Sequence, residues 1–361
     1  MATAGRRIGS PPRSKPGTEC DNIIRHGHAP SMPETRDTDD PTLRFSATRC
    51  LVTGGAGFIG SNLTRALLAA GAAVTVIDDF STGRREHLPE AAGLTVVEGD
   101  LVTVPDLADR VAAVDYVFHL AAQVGNVRSL SETGRDAATN VLGTVRLLTA
   151  CRGTALRKLV YSSSSATFGE ARRLPIDEDH PQAPESFYAL SKLTAERYAT
   201  LAAGLWGVPA VSLRYFNVFG LPMEDSEYTG VISIFFNRLR AGEPLVVYGD
   251  GAQFRDFVHV RDVVQANLRA ALHGAPGGVY NIGTGVTTSV RQLAEAMQEV
   301  TGRGGEILYR PARAGEVRES VAEIAKARRE LGYAPGFGLR RGLAEMWAEL
   351  GGDGTDGSAP R

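Results

Sequence analysis

Residues 50–60 read CLVTGGAGFIG. A short apolar run, Cys50-Leu51-Val52, leads through Thr53 into glycines at 54, 55, 57 and 60, and Leu63, Ala66, Leu67 and Ala70 then recur at helical spacing. The order is strand, tight glycine turn, helix. Glycine has no Cβ, so the backbone can bend sharply there and come close to a ligand. The helix that follows points unpaired N–H groups and the positive end of its dipole into the turn, where a diphosphate fits. A second apolar run, Val74–Ile77, ends in Asp78-Asp79. An acid about 20 residues past the glycines is placed to hold the ribose hydroxyls of a dinucleotide, NAD.

The bulk numbers exclude several classes. The 361 residues carry 39 basic and 41 acidic side chains, a net charge of −2, which gives no pull toward nucleic acid or an anionic membrane. No apolar stretch approaches the roughly 18 residues needed to span a bilayer. Three cysteines, Cys20, Cys50 and Cys151, lack metal-ligand spacing, and their sparse, odd number suits a reducing cytoplasm. No metal site is expected; His119, after Phe118 on a strand, reads as a core or cofactor-flanking residue.

Residues 1–47 mix Arg, Pro, Ser, Thr and Asp without apolar periodicity and read as a disordered N-terminal extension. From 48 to 214 strands and helices alternate. Strands are expected at 50–53, 74–78, 94–98, 115–121, 158–163 and 209–214. Helices are expected at 58–70, near 105–112, 135–152 and 188–205. That alternation means parallel crossovers and an α/β, doubly wound parallel (Rossmann) sheet. Its ligand crevice lies beyond the carboxyl ends of the strands. Gly54–Gly60, Asp78, Asp100, Ala121-Ala122 and Ser162–Ser165 all fall at such ends. From 215 to 350, proline and glycine punctuate shorter elements, among them a helix at 231–241 and a strand at 245–248. This region reads as a smaller C-terminal α/β substrate-binding lobe interleaved with the first domain. Residues 351–361 read as a disordered tail.

Tyr188 and Lys192 stand four apart at a helix start, one turn, on one face. An ammonium beside a phenol favours the phenolate, so the pair predicts a lowered Tyr188 pKa and a general base near neutral pH. The strand-end block SSSSATFG at 162–169 can supply a hydroxyl to the same substrate oxygen.

With these motifs in place the chain resembles the extended short-chain dehydrogenase/reductases, specifically the NAD-dependent sugar-nucleotide epimerase/dehydratase group, over about residues 49–346. The resemblance rests on TGGAGFIG (53–60), GDL (99–101), HLAAQ (119–123), the serine block, YALSK (188–192), LRYFNVFG (213–220), GDGAQFRDFVHVRD (249–262) and YNIGTG (280–285). It implies that Gly54, Gly57 and Gly60, with the intervening Phe58 and Ile59, hold the NAD pyrophosphate. Asp78 would hold the adenosine ribose, Asp100 and Leu101 would flank the adenine, and Ala121 and Ala122 would line the nicotinamide side. Asn140 would organise backbone. Ser164 would be the catalytic hydroxyl, Tyr188 the base, and Lys192 the residue that holds the nicotinamide ribose and tunes Tyr188. Asn217 would touch the sugar-nucleotide phosphate. Arg255 and Arg313 would clamp the diphosphate or uridine ribose, as forked guanidinium groups do. The resemblance also implies a homodimer built on the helices near 135–152 and 188–205.

Related 4,6-dehydratases place an Asp-Glu pair directly after the catalytic hydroxyl residue, and UDP-glucuronate decarboxylases keep the Glu. Here those positions are Ser165 and Ala166. Without acids to drive elimination, the reaction left is 4-epimerisation through a transient 4-keto sugar. By the same resemblance Ser320, small where a tyrosine would restrict the pocket, implies room for a 2-acetamido group. The substrates expected are UDP-GlcNAc/UDP-GalNAc, UDP-Glc/UDP-Gal, or both. A UDP-glucuronate 4-epimerase, a dehydratase or a deoxysugar reductase is the alternative; Arg128 or Arg318 could meet a uronate carboxylate. Asp78 rather than a basic residue favours NAD over NADP.

Overall fold

The strand β1 (Arg49–Thr53) is an inner strand of a seven-stranded parallel sheet in the computed structural model, which describes residues 41–222, 230–312 and 317–351. Its companions are β2 (Ala73–Asp78), β3 (Leu94–Glu98), β4 (Tyr116–His119), β5 (Lys158–Ser164), β6 (Ala210–Tyr215) and the strand Val279–Ile282. Across the sheet the order is Val279–Ile282, β6, β5, β4, β1, β2, β3. The order turns back between β1 and β4, and Thr53 pairs with both Ile77 and His119 there. A crevice opens at such a reversal, and the glycine turn leaves β1 directly into it.

Both faces of the sheet are covered, which is why its strands read as nearly unbroken apolar runs. Alternate residues point to opposite faces. Cys50 and Val52 enter one core with Leu63 and Leu67 of α1 (Phe58–Ala69) and Val263 and Val264 of the helix Val260–His273. Leu51 enters the other with residues of α2 (Leu107–Ala112), α5 (Gly143–Cys151) and α6 (Phe187–Trp206). A third core gathers Phe219, Phe235, Phe236, Met297, Met346 and Trp347. The helices Val231–Ala241, Val290–Thr301 and Leu339–Glu349 supply most of it, beside a parallel pair of strands, Leu245–Tyr248 with Ile307–Arg310.

Three departures from the sequence expectations have physical causes. Packed chain begins before residue 48: a 3₁₀ turn at Pro41–Phe45 carries Phe45, fully buried, whose ring centroid lies 5.1 Å from that of Tyr116. The expected helix at 135–152 is α4 (Thr133–Ala137), a π-helical turn at Ala138–Leu142, and α5. An extra residue per turn there swings Asn140 inward, a device common at functional sites. Before it, the loop expected after β4 contains a short helix, α3 (Asn126–Ser131), and β4 itself stops at His119. Residues 1–40 of the expected extension and 352–361 of the expected tail lie outside the described residues.

Candidate active site

The glycine turn is built by contact, not by sequence bias alone. Gly54 has φ +69°, and a Cβ on it would sit 2.6 Å from the Ala121 nitrogen. A Cβ on Gly60 would fall 2.0 Å from the Gly54 carbonyl oxygen. These two glycines let β1, β4 and α1 approach one another. Gly57 differs. Its φ is −77°, open to any residue, and the nearest protein atom to a Cβ there is 3.4 Å away. What a Cβ on Gly57 would fill is ligand space. Gly57 is also the N-cap of α1 and supplies no side-chain cap, so the first N–H groups of that helix keep hydrogen-bonding capacity for an anion.

Asp78 ends β2 and is buried. Its Oδ2 accepts from the Ala56 N–H (2.8 Å) and its Oδ1 from the Phe80 N–H (2.9 Å). Each oxygen retains a lone pair for a ribose hydroxyl. Burial raises its pKa, and the two backbone donors oppose that rise. Asp100 opens a tight turn by accepting the Val102 N–H at 2.7 Å, and Arg146 of α5 clamps the carbonyls of Leu101 (2.8 Å) and Val104 (2.7 Å).

Behind the turn, His119 ties β1, β4 and α5 together. The Thr144 hydroxyl donates its one proton to the Asn140 carbonyl (2.7 Å), so its oxygen accepts from His119 Nε2 (2.8 Å). Nδ1 then accepts the Thr53 hydroxyl proton (2.7 Å). Burial, with the charge of Lys192, pushes the imidazole pKa down to about 3, so the ring is neutral. Its role is structural, as its strand position implied. Asn140 clamps the β4 exit: its Oδ1 accepts the Gln123 N–H (2.9 Å) and its Nδ2 reaches the Gln123 carbonyl (3.1 Å).

Ser186 caps α6 by accepting the Ala189 N–H at 3.0 Å, and the first turns of that helix present Tyr188 and Lys192. The Tyr188 phenol hydrogen-bonds Ser164 at the end of β5. Lys192 is 2% exposed and lies with Nζ 4.6 Å from the centroid of the Tyr161 ring. Here the expectation of a depressed Tyr188 pKa is corrected. Burial pushes the phenol up to about 12, against the opposing hydrogen bond from Ser164. Burial likewise pushes Lys192 down to about 7. In an apolar enclosure desolvation outweighs the neighbour that spacing alone suggests.

The glycine turn, Asp78, Asp100, Ser164, Tyr188 and Lys192 face one cavity of about 450 Å³, within the range of small-molecule sites. Its wall includes Gly54, Gly57, Phe58, Ile59, Gly60, Asp78, Asp100, Leu101, Ala121 and Ala122 on one side and Ser164, Tyr188, Lys192, Arg128 and Asn217 on the other. The uncapped helix end, the empty volume at Gly57 and the free lone pairs of Asp78 fit the diphosphate and ribose of NAD. Arg255 and Ser320 are outside this wall and adjacent to one another. The Ser320 N–H donates to the Phe254 carbonyl (3.2 Å), and Arg255 donates to the carbonyls of Phe254 (2.9 Å), Arg318 (3.1 Å) and Val317. Arg313 lies outside the described residues.

The sequence reading did not single out Asp136, Gln123, Glu196 or Arg214, all nearly or fully buried close to the site. Glu196 had a signal. With Tyr188 and Lys192 it completes an i, i+4, i+8 row, a charged residue on the inward face of α6. The amide of Gln123 has no hydrogen-bond partner among the described residues.

Comparison with known proteins agrees with this geometry. A model of the NAD dependent epimerase/dehydratase family matches residues 50–283. A UDP-glucose 4-epimerase from Mycolicibacterium smegmatis is 39% identical over 303 residues, 82% of this chain and 96% of the relative. The solved UDP-N-acetylglucosamine 4-epimerase of Methanobrevibacter ruminantium, in complex with UDP-N-acetylmuramic acid, superposes with TM-score 0.81 at 34% identity, covering 85% of this chain and 99% of that one. The UDP-glucose 4-epimerase of Thermotoga maritima, with UDP-glucose, gives 0.79 at 36%, covering 84% and 99%.

Proposed function

The chain belongs to the NAD dependent epimerase/dehydratase family, and from that premise we propose that it interconverts the C4 epimers of a UDP-sugar. It is an NAD-dependent nucleotide-sugar epimerase. The observation that carries the reading is the meeting of Ser164, Tyr188 and Lys192 with the glycine turn in one cavity, with Ser165 and Ala166 where an eliminating enzyme needs acids.

NAD+ bound here would supply the hydride acceptor and a positive ring charge that would lower the Tyr188 pKa. Tyr188 takes the proton of the C4 hydroxyl, and Ser164, hydrogen-bonded to the phenol, orients that same oxygen. Lys192 holds the nicotinamide ribose, Asp78 the adenosine ribose, and the α1 N-terminus the diphosphate. Asn217, on the cavity wall, is placed to meet the substrate phosphates; Arg255, expected to share that task, is held outside the wall by the backbone carbonyls of Phe254 and Arg318. With no group to eliminate water or carboxylate, the 4-keto sugar would turn over, take the hydride back on the opposite face of C4 and take its proton back on O4 from Tyr188.

We assign UDP-GlcNAc/UDP-GalNAc and UDP-Glc/UDP-Gal as the substrates; Ser320, outside the cavity wall, does not decide between them. A uronate finds less support. Arg128 already pairs with Glu132 (3.2 Å) and Arg318 with Asp250 (3.1 Å). The assembly is a homodimer through α6 and its neighbours, whose outward face leaves Leu190, Leu201 and Leu205 50%, 57% and 76% exposed. Such a stripe marks an association surface. Cytoplasmic residence agrees with Cys50 and Cys151, both buried and unpaired; no helix among the described residues is long and apolar enough to cross a membrane.

A substrate deuterated at the sugar C4 tests the chemistry. If one hydride leaves and returns within the site, the epimer keeps its deuterium. Exchange of the label into water would contradict the scheme.

A further inference from the structure

Lys192 needs a counter-charge that the assigned site residues do not supply. An ammonium 2% exposed is strongly disfavoured unless a buried anion faces it. Two carboxylates are buried around it, Glu196 (0% exposed) and Asp136 (1%). Glu196 is already paired with a cation, and it acts on Lys192 after Asp136. Arg214 donates to Glu196 through Nε (2.9 Å) and Nη2 (2.7 Å), and the Ser163 hydroxyl adds a third bond at 2.7 Å. His119 on β4 is neutral and fully hydrogen-bonded. Tyr161 on β5 offers only its ring face and donates its hydroxyl to the Lys192 carbonyl (3.2 Å). Arg128 on α3, Glu132 and Arg135 pair among themselves and with Asp79.

Asp136 remains. It sits on α4, which packs on α6. Its Oδ2 accepts from Asn140 Nδ2 at 3.0 Å. Ser191, within 3.0 Å of the same nitrogen, whose two protons serve three nearby oxygens, hydrogen-bonds Asp136 as well and lies 3.0 Å from the Tyr188 carbonyl. A hydrogen-bonded unit thus joins Asp136 to the turn of helix that bears both Tyr188 and Lys192. We propose that Asp136 is the counter-ion of Lys192 and a positioning residue for the catalytic pair, holding the lysine in its charged form without touching substrate. This rests on the epimerase reading for its catalytic meaning, but not for its electrostatics.

A single negative charge acts on both neighbours in one direction. Asp136 raises the pKa of Lys192 and that of Tyr188. Asp136→Asn keeps the size and the hydrogen bonds and removes the charge. Both limbs of the pH profile of turnover should therefore move to lower pH, by about one unit. An unmoved profile with a uniform loss of rate would overturn the proposal.

A second measurement needs no catalysis. Thermal unfolding of the wild type, Asp136→Asn, Lys192→Met and the double variant is compared at pH 6.5, below the value of about 7 at which Lys192 titrates. Asp136→Asn should lower the midpoint in the wild-type background, where it strands a cation. In the Lys192→Met background it should leave the midpoint unchanged or raise it, since there it removes an uncompensated carboxylate. Equal losses in the two backgrounds, or failure to fold in both, would overturn the pairing. Absent turnover with the predicted cycle intact would instead count against the epimerase reading alone.

Discussion

Ser164 and Tyr188 share a hydrogen bond at the cavity wall, and burial holds the phenol at about 12. The phenol is therefore undissociated near neutral pH despite the neighbouring Lys192, and the positive charge that NAD+ would bring is what would lower its pKa. Tyr188→Phe should lower turnover by about 10²–10⁴-fold, the usual worth of a positioned acid–base group. NAD affinity, measured by calorimetry, should change no more than a few-fold. Turnover near the wild-type level would remove Tyr188 from the chemistry. At this scale the sequence showed which residue types meet, because YALSK and the serine block have distinctive spacings. It could not show the sign of the Tyr188 shift, which depends on how much water the fold leaves around the ring. Nor could it show Asp136, since a lone aspartate in a helical stretch ordinarily faces solvent.

The turn between β1 and α1 separates two uses of glycine. A Cβ on Gly60 would strike the Gly54 carbonyl at 2.0 Å, whereas one on Gly57 comes no nearer than 3.4 Å to any protein atom and stands at the cavity wall. Gly60→Ala should destabilise the protein by about 1–3 kcal/mol or more through overpacking, seen in denaturant unfolding. Gly57→Ala should unfold at nearly the wild-type midpoint but bind NAD at least about tenfold more weakly. The reverse pattern would mean that the turn does not face the diphosphate. The elements flanking this turn were legible because a buried parallel strand and an amphipathic helix leave different apolar periods. The π-turn at Ala138–Leu142 and α3 were not. A single extra residue only shifts the phase of that period within a stretch too short to show it, and Asn126–Ser131 is only six residues long.

Over the whole molecule, alternating strands and helices disclose the parallel sheet, and the rule for its crevice gathers the glycine turn, Asp78, Asp100 and Ser164 from their positions at strand ends alone. The regions after residue 215 were harder to read. Their elements are short, and their shared core of Phe236, Met297 and Trp347 joins segments far apart in sequence. Arg255 and Ser320 come from that part, and they meet through the bridge between Phe254 and Glu319, outside the cavity wall. The outward stripe of α6 carries a prediction at this scale. Replacing Leu201 and Leu205 together by Arg should turn a dimer into a monomer in sedimentation, with the monomer still folded; an unchanged sedimentation coefficient would exclude that face. The claim on which the rest depends is redox-neutral inversion at C4 using NAD held in the Gly54–Gly60 turn. Its most direct test is to incubate the purified protein, without added cofactor, with UDP-GlcNAc and with UDP-Glc and to follow the sugar by proton NMR. The account predicts conversion of at least one of them to its C4 epimer up to equilibrium, with no other product; bound NAD with no C4 interconversion of either sugar would contradict it.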